Sequence, residues 1–287
     1  MISGGINIIQ IAENLLELFD NDLNMRYNRF MQPQSEGEKQ AAAWLRDEYY
    51  DLETTTESEP MQEKHLSQII RERLQAAGHR FHCNDNIADY IQEGEIEQLV
   101  DEVAERFQGV LSSLVIDTDH DHNTKETARR VAKMFVKETF GGRYRAAPKV
   151  TAFPNLGYKS LYTAGPISIR STCAHHFQNI VGRCWVGIVP EGEVIGLSKF
   201  NRLVHHICER PQIQEEMTTQ IADALREYAK TEHIAVVVKA EHHCMTQRGV
   251  REHESDMTTA IMLGAFQTDP ALKKEFYDIC LSMKGHG

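Results

Sequence analysis

The sequence predicts an α+β fold: an antiparallel sheet with helices on one face, preceded by an α-helical N-terminal region. Beyond about residue 158 the elements run strand, strand, helix, helix, strand, strand, with no βαβ alternation. Upstream, apolar residues recur at helical spacing. With 41% hydrophobic residues in 287, the chain can build one good core with extra material, or two domains.

In the first segment, "NIIQIAENLLELF" places Ile8, Ile11, Leu15 and Phe19 at helical spacing. "SEGEKQAAAWLRDEYYDLETTTESEPMQEK" follows, acidic and short of bulky apolar residues, and reads as helix plus weakly packed surface. A helix is expected from Leu66 to Ala77, stopped by Gly78 and resuming after Asn84 or Asp85. Residues 95–116 form a strongly amphipathic helix with Leu99, Val103, Phe107 and Leu111 on one face. "DTDHDHN" lacks the glycine and closing glutamate of a calcium loop. Asn123 with Glu126 reads instead as a capping box opening a helix Thr124–Thr139, which Gly141-Gly142 ends.

The period then changes. "SLYTAGPISIRSTC", "GRCWVGIVP" and the short "EGEVIGL" read as strands, "SKFNRLVHHICE" and "PQIQEEMTTQIADALREYAK" as helices. In the second helix Ile213, Met217, Ile221 and Leu225 recur every fourth residue, and Pro211 sits near the start, where its missing N–H costs nothing. "HIAVVVKAEHH" and "MTTAIMLGAF" close the pattern as strands.

A net charge of −11 argues against a general nucleic-acid or anionic-membrane binder, since both partners need a basic surface. No run approaches the length of a membrane span, and the N-terminus lacks the basic start of a signal peptide, so the expected compartment is the cytoplasm. In a reducing compartment six cysteines do not indicate a disulfide framework, and those grouped with histidines point to metal or catalysis.

Two knots stand out. "TCAHHF" sets Cys173 and His176 two residues apart, and "EHHCM" brings Cys244 71 positions after Cys173. Two thiolates and an imidazole suit Zn2+ rather than magnesium or calcium, which want oxygen. Three protein ligands leave a fourth position to water, the catalytic arrangement. The alternative is buried thiols and capping histidines. His205, His206 and Cys208 lie on an apolar helix, where core or interface packing is expected.

A second grouping is basic. Ser198, Lys199 and Arg202 stand where a strand hands over to a helix, whose N-terminus attracts anions. Arg248 and Arg251 follow the second knot. Singly each is a solvated surface charge; together, on an acidic chain, they suggest a triphosphate or similar anionic substrate.

"STCAHHF", "VIGLSKFNRLV", "RPQIQEEMTTQIADAL" and "HHCMTQRGVR", with support from "ETARRVAKMFVKETFGG", together resemble the GTP cyclohydrolase I family over roughly residues 95–285. The resemblance divides the chain into a variable N-terminal extension, 1–94, and a catalytic domain, 95–287. It implies opening of the imidazole ring of GTP, release of C8 as formate and closure to 7,8-dihydroneopterin triphosphate, from which folate, tetrahydrobiopterin and deazaguanine routes depart. It implies zinc on Cys173, His176 and Cys244, with His175 and His242 as catalytic imidazoles and Ser198 sharing the proton work. It sets Ser198, Lys199, Arg202 and Arg248 on the ribose and triphosphate, and Gln214 and Glu215 on the guanine. It implies that Arg130 and Lys133 reach in from a neighbouring subunit, since the family closes tunnelling-fold subunits into a homodecamer with active sites at the interfaces. Three features depart from the pattern: Ala174 replaces the usual glutamate, Thr127-Ala128 replaces Thr-Pro, and "YTAGPISIR" is an unusual run into the strand that ends at Cys173. The alternatives are a paralogue acting on another purine nucleotide and a relative that binds nucleotide without turnover.

Overall fold

The computed structural model describes residues 64–282. The helix expected around Ile8–Phe19, like all of residues 1–63, lies outside the described residues.

Helix α1 (Leu66–Ala76) buries Ile70 and Leu74. Gly78, at φ +61°, ends it in the left-handed region that side chains other than glycine avoid. The helix expected to resume after Asn84 or Asp85 is only a 3-10 turn, Ala88–Tyr90. Helix α2 (Glu95–Ser113) follows, with Leu99, Val100 and Leu111 buried. Arg73 ties α1 to its start, donating to both carboxylate oxygens of Glu95 at 2.7 Å.

Helix α3 (Thr127–Lys133) starts later than the sequence suggests and has no side-chain cap. The expected Asn123–Glu126 box does not form because Asp121 takes that role: its carboxylate accepts from Asn123 N–H at 2.9 Å and Thr124 Oγ1 at 2.8 Å. From Met134 to Thr139 the helix widens to π geometry. Gly141-Gly142 does not end the helical region but opens a short turn, α4 (Gly141–Tyr144). Close approach explains the glycine: a Cβ on Gly142 would lie 2.1 Å from His206 O, and its N–H donates to Glu209 O at 3.0 Å.

The rest is a sheet and its cover. Strands β1 (Ala152–Pro154) and β4 (Glu193–Ile195) form a small antiparallel pair. Strands β2 (Tyr162–Cys173), β3 (Asn179–Ile188), β5 (Pro211–Gln212), β6 (Ile234–His242) and β7 (Met257–Met262) form a sheet of order β5-β2-β3-β6-β7. Every pairing is antiparallel except β2 with β5. Pro211 therefore belongs to an edge strand, where a missing donor is tolerated, and the helix it was expected to open begins at Gln214.

Helices α5 (Leu197–Cys208) and α6 (Gln214–Ala229) cover one face. Their Phe200, Leu203, Met217, Ile221 and Leu225 close on Ile234, Val236 and Val238 of β6. Each such side chain contributes roughly 1.5–3 kcal/mol through area removed from water. After the short helices α7 (His243–Thr246) and α8 (Ala265–Thr268), helix α9 (Pro270–Ser282) lies on the opposite face. There Phe276 and Cys280 pack with Phe266 on Ala235 and Val237. The α+β class and antiparallel sheet hold, but the expectation of helices on one face alone does not. β6 reads as an unbroken apolar run because both of its faces are covered.

Within α5, His206 and Cys208 are buried and His205 is exposed. Burial, with the Arg210 and Arg145 guanidiniums nearby, pushes the His206 imidazole from the ordinary 6.5 down to about 4. The unfolded chain therefore binds a proton that the folded one refuses between those two values. Stability from this group is complete above about pH 6.5 and lost as pH falls toward about 4, roughly 3 kcal/mol in all. Urea midpoints at pH 7.5 and 5 should differ in the parent and converge in His206→Gln; an unchanged difference would count against this origin.

Candidate functional site

Register brings the two knots together. Within the sheet β3 lies between β2 and β6, with Asn179 opposite Thr172 and Ile180 opposite His242. The C-terminal ends of β2 and β6 therefore emerge at the same end of the sheet, one delivering Cys173 and the other His242. Two residues beyond, α7 carries Cys244. The ligand atoms of Cys173, His242 and Cys244 all lie within 4.8 Å of one another.

Of the three expected metal ligands, the two cysteines meet as anticipated, but the imidazole beside them is that of His242. His176 is exposed on the turn between β2 and β3, as is His175, whose Nδ1 comes 3.7 Å from Cys173 Sγ. That turn is tight: Cys173 N–H donates to Gln178 O at 2.8 Å and Phe177 N–H to Cys173 O at 2.9 Å. Phe177 takes φ +52°, and its ring packs edge-on against Phe135 and Phe140, with centroids 6.0 and 5.5 Å away.

His242 is held from behind. Its Nε2 meets Gln214 Oε1 at 2.8 Å. The Gln214 amide nitrogen donates to Val238 O, Met257 O and Thr259 Oγ1 at 3.0–3.2 Å. Those acceptors fix the amide's orientation, so Oε1 can only accept; Nε2 carries the proton and Nδ1 the lone pair. Gln214 is fully buried, with both polar atoms of its side chain engaged. It orients His242 through Oε1, which as an amide oxygen keeps a second lone pair beside the guanine contact that the resemblance implies. Sequence reasoning missed this pairing, since 28 residues separate the partners and no local pattern marks it.

Burial pushes the His242 imidazole below its ordinary value while Glu215 draws it back up. Burial raises the Cys244 thiol, the neighbouring Cys173 adds to the rise, and Arg248 opposes it. Two soft sulfur donors and an imidazole with a free lone pair, gathered this closely, fit zinc and poorly suit an oxygen-seeking cation.

Glu215 is exposed in the first turn of α6 and lines a cavity of about 610 Å³ together with Ala174, His175 and Gln212. Ser198 and Arg202 are exposed and Lys199 half-buried near the start of α5. Among the described residues no ion pair joins them to the cysteine cluster. Arg248 is exposed just past α7. Arg130 and Lys133 are exposed on α3, without an ion-pair partner among the described residues.

The family model described as GTP cyclohydrolase I matches residues 103–281. The chain belongs to the GTP cyclohydrolase I family. Relatives named GTP cyclohydrolase 1 agree. The Vibrio vulnificus protein (strain YJ016) is 38% identical over 182 residues, 63% of this chain and 83% of the relative. The Flavobacterium johnsoniae protein is 40% identical over 184 residues, 63% of this chain and 82% of the relative. The Shewanella protein (strain W3-18-1) is 36% identical over 182 residues, 63% and 85% of the two chains. The span matched to the family contains the whole cysteine–histidine cluster and both helices on its side of the sheet. Residues 64–102, with α1 and the first turns of α2, precede that span.

Proposed function

We propose that this family member hydrolyses GTP at the imidazole ring of its guanine, releasing formate and forming 7,8-dihydroneopterin triphosphate. The observation that carries this is the meeting of Cys173 and Cys244 with an imidazole at one end of the sheet. Beside it, His175 and Glu215 line one cavity.

Each residue has chemistry to perform. Glu215 is a carboxylate able to accept two N–H bonds from the N1 and N2 edge of guanine. Adenine lacks that donor pair and would leave the carboxylate unsatisfied, so the base is discriminated. Ser198, Lys199, Arg202 and Arg248 neutralise and orient the triphosphate and ribose. His242, oriented by Gln214, moves a proton at N7 of the base, where protonation makes C8 electrophilic. His175 and Ser198 move protons during the later sugar rearrangement. Cys173, Cys244 and an imidazole would hold zinc, which when bound would supply Lewis-acid activation of water.

Family resemblance assigns the third ligand to His176, whereas the geometry offers His242. Metal content decides. His176→Ala should lose most of the bound zinc, while His242→Ala keeps it and loses turnover; the reverse metal result makes His242 the ligand.

The exposure of Arg130 and Lys133 supports their reaching the site of a neighbouring copy, in a homodecamer of tunnelling-fold subunits with sites at the interfaces. Among the described residues no helix is long and apolar enough to cross a membrane, which fits the proposed cytoplasmic location. Ala174 favours one alternative, a relative that binds nucleotide without turnover, because it removes a charge beside the cysteine cluster. Incubation with GTP, ATP or dGTP, reading formate and pterin fluorescence, tests the assignment. Product from GTP upholds it, product only from another nucleotide upholds the paralogue, and binding without product leaves a nucleotide-binding relative.

A further inference from the structure

The cavity that Glu215 and His175 share has a second wall, built from residues outside the span matched to the family. Arg80, His82, Cys83 and Asn84 line it opposite Ala174, Gln212 and the first turns of α6.

This wall is anchored at several points. Arg143 donates to three carbonyls of the segment: Phe81 O and Asp85 O at 3.1 Å, and His82 O. Arg210, a buried guanidinium, donates to Asn84 O at 3.1 Å. The Asn84 amide reaches across to Glu216 Oε2 at 2.8 Å, next to Glu215. Asp85 closes the turn from within, accepting from His82 N–H at 2.6 Å and from Arg80. A segment fixed to α4, to Arg210 just past α5 and to α6 is held in place before any ligand arrives, which lowers the ordering cost of binding.

A second observation points to a ligand. Gln212 lines the same cavity and is 1% exposed. Its Nε2 is spent on Ile207 O at 2.6 Å and Arg210 O at 3.1 Å, yet its Oε1 is buried with no partner among the described residues. A buried acceptor left unpaired is costly, and a ligand N–H would relieve it.

We propose that the Arg80–Asn84 segment is the outer wall of the nucleobase pocket, with His82 and Cys83 touching the bound purine and Gln212 Oε1 accepting one of its N–H groups. This rests on the GTP reading above and extends it: base recognition involves a segment that precedes the matched span. Where Ala174 offers only a methyl group, the cavity is closed from the other side by this segment. Cys83 is a contact here and undergoes no chemistry.

The thiol makes the test direct. The full-length, metal-loaded protein is treated with iodoacetamide, and labelling of each cysteine is followed by peptide mass spectrometry. Saturating GTP should slow Cys83 labelling at least tenfold, while inorganic triphosphate, which lacks a base, should not. Equal labelling with and without GTP, in a preparation that turns GTP over, overturns the inference and leaves the activity standing. Failure to bind or turn over GTP removes the functional reading itself. Kinetics add a second arm: Cys83→Leu should raise KM for GTP about tenfold with kcat within about twofold and an unchanged Tm. A fall in kcat and Tm together in Cys83→Leu, with KM unmoved, would make Cys83 a packing residue and overturn the contact.

Discussion

Cys244→Ala is expected to lose bound zinc and formate release together, with kcat/KM for GTP falling at least about a thousandfold, more than about 4 kcal/mol of transition-state stabilisation. Cys244 sits on α7 within 4.8 Å of Cys173 and His242, and removing its sulfur leaves one thiolate and one imidazole, too few to hold the ion. The fold should survive, because Cys244 is only half-buried at the end of the sheet. Cys280→Ala is the matched control: this thiol lies under α9 on the far side of the sheet, so its loss should cost some packing while metal content stays at the parent level. Metal analysis and the formate assay on the same preparations check both. Full activity in a metal-free Cys244→Ala protein would overturn the site.

Gly182→Ala should damage fold and site at once. Gly182 faces Ala240 across the β3–β6 pair. A Cβ there would lie 2.2 Å from Lys239 O and 2.5 Å from both Ala240 Cα and Ala240 Cβ, so backbone must move. Overpacking in a well-filled interior costs about 1–3 kcal/mol, and contact with backbone puts this change at the upper end. For a unit of this size that is a fall in Tm of about 6–12 °C. The strand pushed aside ends two residues later at His242, so turnover should drop by more than tenfold even well below the melting temperature. Thermal unfolding and GTP kinetics on one sample test the linkage. A variant with parent-like Tm and kcat would show that the strands part at no cost.

Much of the metal centre was legible because its donors come as short clusters at strand ends, where type and spacing survive in the chain as written. Cys173 and Cys244 could be paired on chemistry alone. Which imidazole lies beside them could not, since that depends on the register that sets Ile180 beside His242 and on the buried amide of Gln214. Gln214 shows the same limit: from sequence it is a polar residue opening a helix, and only tertiary packing shows its amide nitrogen engaged by Val238, Met257 and Thr259. Helices α2, α5 and α6 could be read from their apolar spacing. The covering of the second face by α9 could not, because a doubly buried strand and a singly buried one share the valine run of β6. The start of α3 was misread where Asp121 outcompeted Asn123 for the local donors, and Gly142 was taken as a stop when its need was room beside α5.

The cluster formed by Phe135, Phe140 and Phe177 has a mechanical meaning. It clasps the hairpin bearing His175 and His176 to the rod that leads back to Arg130 and Lys133. In the homo-oligomer proposed above, the two sets would serve two different reaction centres while joined through these three rings. In that proposed assembly, a change that re-aims Arg130 and Lys133 would reach the histidine loop through the packed rings.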